Sequence, residues 1–150
     1  MVSKNQVQYG YEIYIGAPVE KVWQGLTDGD LTRQYVYGTR LQSSLEKGSA
    51  YAFVADGDFN VVDGEIIEIE PNRRLALTWR AHWDAAVSKD RASRVTYELS
   101  SAGARTTKLR VVHDEFEGET ATYKGSVEAW PLMLSSLKTL VESGKPLEMK

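Results

Sequence analysis

Six short segments with alternating apolar and polar residues follow one another through the middle of the chain, and this succession strongly constrains the fold. Side chains alternate between two faces along a β-strand, so each segment predicts a strand with one apolar face. Turn-forming sequences such as EKGS and ADGD separate the segments. Connections this short join antiparallel neighbours, since a parallel crossover needs a dozen residues or more. The predicted strands are Thr39–Ser44, Ser49–Ala55, Val61–Glu70, Arg74–Trp83, Arg91–Ser100 and Arg105–Asp114.

One strand and two helices are predicted before these segments. Residues 8–15 alternate with period two and indicate a seventh strand. Val19, Val22 and Leu26 fall on one face of a helix that starts near Pro18, and residues 31–35 predict a second, short helix.

A single long helix, Thr120–Ser143, is predicted at the end of the chain. Its apolar residues recur at steps of three and four, the spacing of one helical face. Pro131 interrupts the pattern because it lacks the N–H that would bond to the carbonyl of Val127, so we expect a kink there or a helix start close to it. The apolar stripe consists of Tyr123, Val127, Trp130, Leu134, Leu137 and Val141.

The order of these elements predicts an α+β protein, and the length predicts a single domain over residues 1–150. The net charge is −3 and no block of like charges is present, so neither a nucleic acid nor a membrane is expected to bind. The absence of cysteine excludes disulfides and thiolate metal sites. Residues 1–10 carry no apolar signal segment, and we expect a cytoplasmic location.

The ratio of strands to long helices predicts a cavity. Seven strands at about 4.8 Å spacing make a sheet roughly 30 Å wide, whereas one helix with its side chains is only about 10 Å across. A twisted sheet must curl around the helix to bury its apolar face, and this curling tends to leave an apolar cleft of the kind that binds small molecules.

Alternation along the strands and the helix predicts which residues line this cleft. The inner face carries aromatic and aliphatic side chains and one histidine, and two tyrosines that follow the short helix are expected to border the entrance. The predicted ligand-binding residues are Tyr35, Tyr37, Leu77, Trp79, Trp83, Tyr97, Val111, His113, Trp130 and Leu134.

Three stretches, in this order, resemble the START-like (SRPBCC) superfamily. They are APVEKVWQGLTD at 17–28, RRLALTW at 73–79 with SRVTYELS at 93–100, and LRVVHDEFEG at 109–118 with WPLMLSSLKTLVESGKPL at 130–147. Within the superfamily, the chain is most similar to the C-terminal domain of the activator of the ninety-kilodalton heat-shock protein ATPase. The resemblance implies the helix-grip fold, a curved seven-stranded antiparallel sheet around a long C-terminal helix.

The resemblance implies several activities rather than one. Members of the superfamily include lipid and hormone carriers and polyketide cyclases and aromatases, and the resemblance also implies a chaperone partner and a role in the stress response. The co-chaperone itself uses a further N-terminal domain, for which 150 residues leave no room. Binding of a hydrophobic or aromatic small molecule is the leading hypothesis; the alternatives are a cyclase-like enzyme and a protein-interaction module.

His113 has three possible roles at this level. A metal site is not expected, because there are two histidines and no cysteine, and His82 should face away from His113. As a general base, His113 would act together with the phenol of Tyr97 as a hydrogen-bond donor. Glu115 shares the alternation phase of His113 and would lie near it. As a structural residue, His113 would hydrogen-bond a neighbour at the end of its strand. No cofactor is expected in any of these cases.

Overall fold

The computed structural model describes residues 7–148, which form a seven-stranded antiparallel sheet and four helices. The predicted α+β class and the predicted order of elements are confirmed, with one short helix added between the fifth and sixth strands. The elements are β1 (Tyr9–Ile15), α1 (Val19–Thr27), α2 (Gly29–Tyr35), β2 (Arg40–Ser43), β3 (Ala50–Ala55), β4 (Phe59–Glu70), β5 (Arg74–Ala81), α3 (Ala85–Ser88), β6 (Ser93–Gly103), β7 (Thr106–Asp114) and α4 (Ala121–Ser143).

The sheet is open and its strands lie in the order β1-β7-β6-β5-β4-β3-β2. Consecutive strands from β2 to β7 are neighbours, as their short connections require. The N-terminal strand instead pairs with the last one, with Tyr9 opposite His113 and Ile13 opposite Leu109. β1 and β2 are therefore the two edge strands, and the segment with α1 and α2 connects one edge to the other.

One face of the sheet supplies the core, as the alternation predicts. Leu75, Leu77 and Trp79 of β5 are buried on this face, and so are Val111 and His113 of β7. The helix α4 packs over them through Trp130, Met133, Leu134, Leu137 and Leu140, all of them buried.

The helix α4 is continuous from Ala121 to Ser143, with Pro131 inside it. Of the two alternatives expected at Pro131, a kink or a helix start, the structure excludes the helix start. The Oγ1 of Thr120 accepts a hydrogen bond from the N–H of Tyr123 at 3.2 Å, so the helix is capped well before the proline. The buried side chains on both sides of Pro131 compensate for the backbone hydrogen bond that it cannot make.

The helix α1 covers only the C-terminal half of α4. A Cβ atom on Gly25 would lie 2.7 Å from the Cδ1 of Leu137 and 3.3 Å from the Cγ2 of Val141, so the two helices approach closely because Gly25 has no side chain. The N-terminal half of α4 faces strands β3 to β5 and meets the short helix α3, and the candidate site lies there.

Candidate functional site

A cavity of about 360 Å³ lies between the N-terminal half of α4 and strands β3 to β5. The connection between α2 and β2 closes its third side. Its walls are almost entirely apolar, and aromatic rings contribute much of them. The lining residues are Val36, Tyr37, Thr39, Phe53, Val61, Val62, Trp79, Trp83, Gly125, Ser126, Ala129, Trp130 and Met133.

Small residues on α4 make room for this cavity. Gly125, Ser126 and Ala129 form one patch on the helix. The next residue along the chain that lines the cavity is the large Trp130. A Cβ atom on Gly125 would lie 3.2 Å from the Cζ2 of Trp83, so the tryptophan rests against bare helix backbone. The helix therefore touches the rim of the cavity while leaving its interior unfilled.

Two aromatic side chains form the mouth. Trp83 is 42% exposed and Tyr37 is 56% exposed, although both line the cavity. The predicted strand extended to Trp83 with this side chain on the inner face, but β5 ends at Ala81 and Trp83 lies outside it. Large apolar surface that is exposed at the rim of an apolar cavity is typical of an entrance to a binding site.

The floor of the cavity is a cluster of aromatic rings. The ring of Trp79 lies 5.6 Å from that of Trp130 and 5.8 Å from that of Phe53, and Tyr97 packs edge-on against Trp130 at 5.9 Å. Rings at these separations and angles attract each other beyond their burial and hold a fixed shape. The floor is therefore rigid, in contrast to the exposed rim.

His113 lies beneath this floor and is fully buried. Its Nδ1 accepts a hydrogen bond from the Nε1–H of Trp130 at 3.0 Å, and its Nε2 lies 2.7 Å from the Oγ of Ser93. An indole N–H can only donate, so the proton of the neutral imidazole is on Nε2 and is donated to Ser93. The hydroxyl of Ser93 in turn donates to the carbonyl oxygen of Trp79 at 3.3 Å.

Burial lowers the pKa of His113 from 6.5 to about 3. The ring of Phe116 covers the imidazole at a centroid distance of 4.3 Å. The imidazole is thus neutral, has both nitrogens occupied, and does not line the cavity. The hydrogen bonds of His113 and Ser93 fix the ring of Trp130 and the carbonyl of Trp79 in the cavity floor.

The acidic residues after His113 face away from it. The carboxylate of Asp114 accepts two hydrogen bonds from Arg94, at 3.0 and 2.9 Å, on the outer face of the sheet. Glu115 has a φ of 63°, which ends the alternation, and its carboxylate lies 3.4 Å from the same guanidinium. The expectation that Glu115 would share the inner face with His113 is therefore wrong.

The structure separates the predicted ligand-binding residues into three groups. Tyr37, Trp79, Trp83 and Trp130 line the main cavity. Tyr35, Tyr97 and Leu134 line a much smaller void beside it, together with Trp79 and Trp130. The remaining three residues are packed into the core and line neither space, namely Leu77, Val111 and His113.

Several lining residues were not predicted from the sequence. The spacing of Gly125, Ser126 and Ala129 was a usable signal, because three small residues within one and a half turns leave a gap beside a large apolar stripe. Phe53 carried a weaker signal, an aromatic residue within an alternating strand. The backbone after α2, which brings Val36 and Thr39 to the cavity, follows no pattern that predicts it.

The polar side chains that line the cavity are the hydroxyl groups of Tyr37, Thr39 and Ser126 and the indoles of the tryptophans. None of its lining residues is an aspartate, glutamate, lysine, arginine or histidine. Within residues 7–148, no group of three His, Asp or Glu side chains is placed to hold a metal ion. No helix in that same part of the chain is both long and apolar enough to cross a membrane.

An open antiparallel sheet of seven strands that grips one long C-terminal helix, with a cavity between them, defines a START-like (SRPBCC) protein. The particular family follows from the sequence. Residues 16–142 match the model of the family described as "Activator of Hsp90 ATPase homolog 1-like protein", and the chain belongs to that family. None of the curated proteins is significantly similar to it in sequence.

Solved structures share this fold. Protein MLL2253 from Mesorhizobium loti is 28% identical, with a TM-score of 0.75 over 90% of this chain and 96% of that one. CalU16 from Micromonospora echinospora is 22% identical, with a TM-score of 0.74 over 95% of this chain and 78% of that one. PFC0360w, an HSP90 activator from Plasmodium falciparum, is 19% identical, with a TM-score of 0.69 over 93% of this chain and 97% of that one.

Proposed function

We propose that the chain binds a small, mainly apolar and aromatic molecule in the cavity between α4 and strands β3 to β5. The observation that carries the proposal is a cavity of about 360 Å³ with an uncharged lining that includes three of the four tryptophans. This volume lies at the small end of the range for ligand sites, roughly 300–1,000 Å³, and suits a molecule of two or three fused rings.

The aromatic walls support a flat ligand in particular. Trp79 and Trp130 present fixed ring faces and edges from the floor, and rings prefer offset or edge-on contact with other rings. At about 25 cal/mol for each Å² of apolar surface removed from water, a molecule of this size gains several kcal/mol on entry. Ligand binding would also remove part of the half-exposed Trp83 side chain at the mouth from water.

Acid–base catalysis has less support than binding. His113 and Tyr97 were the candidate catalytic residues, but both nitrogens of His113 are engaged and its low pKa keeps it neutral at physiological pH. The two side chains also do not meet the main cavity. The polyketide-cyclase mechanism suggested by the superfamily would need a base that reaches the ligand, and the residues lining this cavity offer none.

Filling the cavity should weaken binding without destabilising the fold. Ala129 lines the cavity from α4, so Ala129→Leu places a larger side chain in the space that the ligand would take. We expect the affinity for the neutral fluorescent probe N-phenyl-1-naphthylamine to fall by about tenfold or more, equivalent to about 1.4 kcal/mol, while the melting temperature stays equal or rises.

The matched control is Ala86→Leu, the same change on the exposed surface of α3, which should leave probe affinity unchanged. Probe fluorescence titrated against each variant makes the measurement. Equal affinity for all three proteins would place the probe elsewhere and remove the support for the cavity as a binding site, as would a wild type that does not bind it.

A chaperone partner is a second candidate. It is supported by the family description and by the structural similarity to an HSP90 activator. The alignment covers 97% of that activator's chain. If this role holds, saturating amounts of the chain should raise the ATP turnover of a ninety-kilodalton heat-shock protein at least about twofold. An unchanged turnover in a coupled ATPase assay would contradict it, and Ala129→Leu would show whether the cavity takes part.

A further inference from the structure

A second, much smaller void lies at the inner end of the main cavity. Its volume is about 10 Å³, close to the space of a single water molecule. Trp79, Trp130 and Met133 line both spaces, so the void and the cavity are separated only by side chains that belong to both. Met133 is unbranched and flexible, and its movement would join the two spaces into one.

Two residues that line this void, Trp79 and Tyr97, carry a hydrogen-bond donor. The indole Nε1 of Trp79 is the single buried side-chain nitrogen or oxygen without a partner in the part of the chain that the structure describes. The hydroxyl of Tyr97 also forms no hydrogen bond within residues 7–148, but unlike the indole nitrogen it is not completely buried, and the residue is 6% exposed. The hydroxyl of Tyr35, which lines the same void, is by contrast engaged with the carbonyl of Gly25 at 2.7 Å.

The unpaired indole N–H of Trp79 is conspicuous because other polar groups nearby are paired. Trp130 donates its Nε1–H to His113, and Tyr51 donates its hydroxyl to the carbonyl of Thr78 at 2.6 Å. Leaving a buried donor unpaired normally destabilises a fold, so native proteins rarely keep one without a use for it. Burial raises the pKa of Tyr97 well above its ordinary value, so its hydroxyl keeps its proton and remains a donor.

We propose that Trp79 and Tyr97 together recognise an acceptor oxygen, of the ketone or quinone type, at the inner end of an otherwise apolar ligand. This inference rests on the proposed function and names the chemistry of its ligand. A carbonyl oxygen has two lone pairs and accepts two hydrogen bonds, one from the indole N–H and one from the phenol. The apolar part of the ligand would fill the main cavity, and the carbonyl would enter the void past Met133.

The test compares two ligands that differ only in this oxygen. Fluorene and 9-fluorenone have the same three-ring shape, and the second carries a carbonyl where the first carries a methylene group. We expect the wild type to bind 9-fluorenone about tenfold more tightly than fluorene by calorimetric titration, the effect of one to two net hydrogen bonds. Tyr97→Phe should reduce this preference about fivefold, because it weakens the binding of 9-fluorenone more than that of fluorene.

Tyr35→Phe is the matched control. It removes a hydroxyl from the same void, but one that is already engaged with Gly25, so the preference for the ketone should persist. A spectroscopic readout guards against a variant that is merely misfolded. In the wild type, 9-fluorenone should move the indole N–H resonance of Trp79, assigned through Trp79→Phe, further downfield than fluorene does.

The outcomes separate this inference from the proposed function. If both compounds bind equally, and Ala129→Leu weakens both, the cavity binds ligands but the donor pair does not recognise an oxygen, and the inference is overturned. A preference for the ketone that survives in Tyr97→Phe, with no downfield movement of the Trp79 resonance, also overturns it. If neither compound binds, both the inference and the proposed function fall.

Discussion

Lowering the pH from 7 to 5 is expected to reduce the free energy of unfolding by about 2 kcal/mol, chiefly through His113. In the folded chain the pKa of His113 is about 3, whereas in the unfolded chain it returns to about 6.5. Between these two values the unfolded state binds a proton that the folded state does not. Stability therefore falls as the pH is lowered through this window, and the titration of His113 adds no pH dependence above it.

The structure explains why the folded chain cannot accept this proton. Protonation would put a hydrogen on Nδ1, which already accepts the N–H of Trp130, and two donors would then face each other. The charge would also be placed against the rings of Phe116 and Trp79, with no carboxylate among the hydrogen-bond partners of His113. A buried charge without a partner costs several kcal/mol, which agrees with the size of the pKa shift.

His113→Gln tests this account. The amide reaches toward Ser93 but leaves the N–H of Trp130 without its acceptor, so we expect a loss of about 1–3 kcal/mol at pH 7. The variant carries no titrating group at this position, so the difference in stability between pH 7 and pH 5 should shrink to a small fraction of the wild-type value. Urea unfolding followed by tryptophan fluorescence at pH 5, 6 and 7 measures both effects.

The window from pH 5 to pH 7 avoids interference from carboxylates. The pKa of Glu142 is lowered by hydrogen bonds from Lys138 and from the N–H of Gly16, so its stabilising effect is lost only below its ordinary value of 4.5. His82→Gln, which removes the other histidine, is the control and should retain the slope. A slope that persists in His113→Gln would show that His113 is not the group responsible.

The strands could be predicted from the sequence because their signal is local. Period-two alternation placed Leu75, Leu77 and Trp79 on one face, and the structure buries all three together. It also placed His113 on the inner face. It gave no information on which side chain of α4 would reach the imidazole, because the contact with Trp130 depends on how closely the helix approaches the sheet.

The cavity was predicted in outline but not in detail for the same reason. A count of strands against helices indicated unfilled apolar space, and a cavity is present. Its position depends on the close contact of α1 with α4 at Gly25, which has no periodic signal, and on the small patch that begins at Gly125, whose spacing was a usable signal. The end of β5 at Ala81 then directed Trp83 to the rim rather than into the sheet.

Gly64→Ala should be among the most damaging small substitutions in the sheet, with an expected loss of about 3 kcal/mol of unfolding free energy. A Cβ atom on Gly64, in β4, would overlap both the carbonyl oxygen and the side-chain hydroxyl of Thr78 in β5. Neither atom is free to move. The hydroxyl of Tyr51 donates to that carbonyl at 2.6 Å, and the N–H of Glu65 donates to the Oγ1 of Thr78 at 2.8 Å.

The comparison with Gly10→Ala decides whether this close approach is the cause. Gly10 lies in the edge strand β1, and a Cβ atom there would meet nothing within 4 Å, so alanine should be neutral or stabilising by about 0.5 kcal/mol. Because Thr78 directly precedes Trp79, Gly64→Ala should also displace the cavity floor and weaken probe binding in the fraction that remains folded. Equal urea midpoints for the two variants would show that β4 and β5 do not meet at Gly64 and Thr78 as described, and the position of Trp79 in the floor would lose its support.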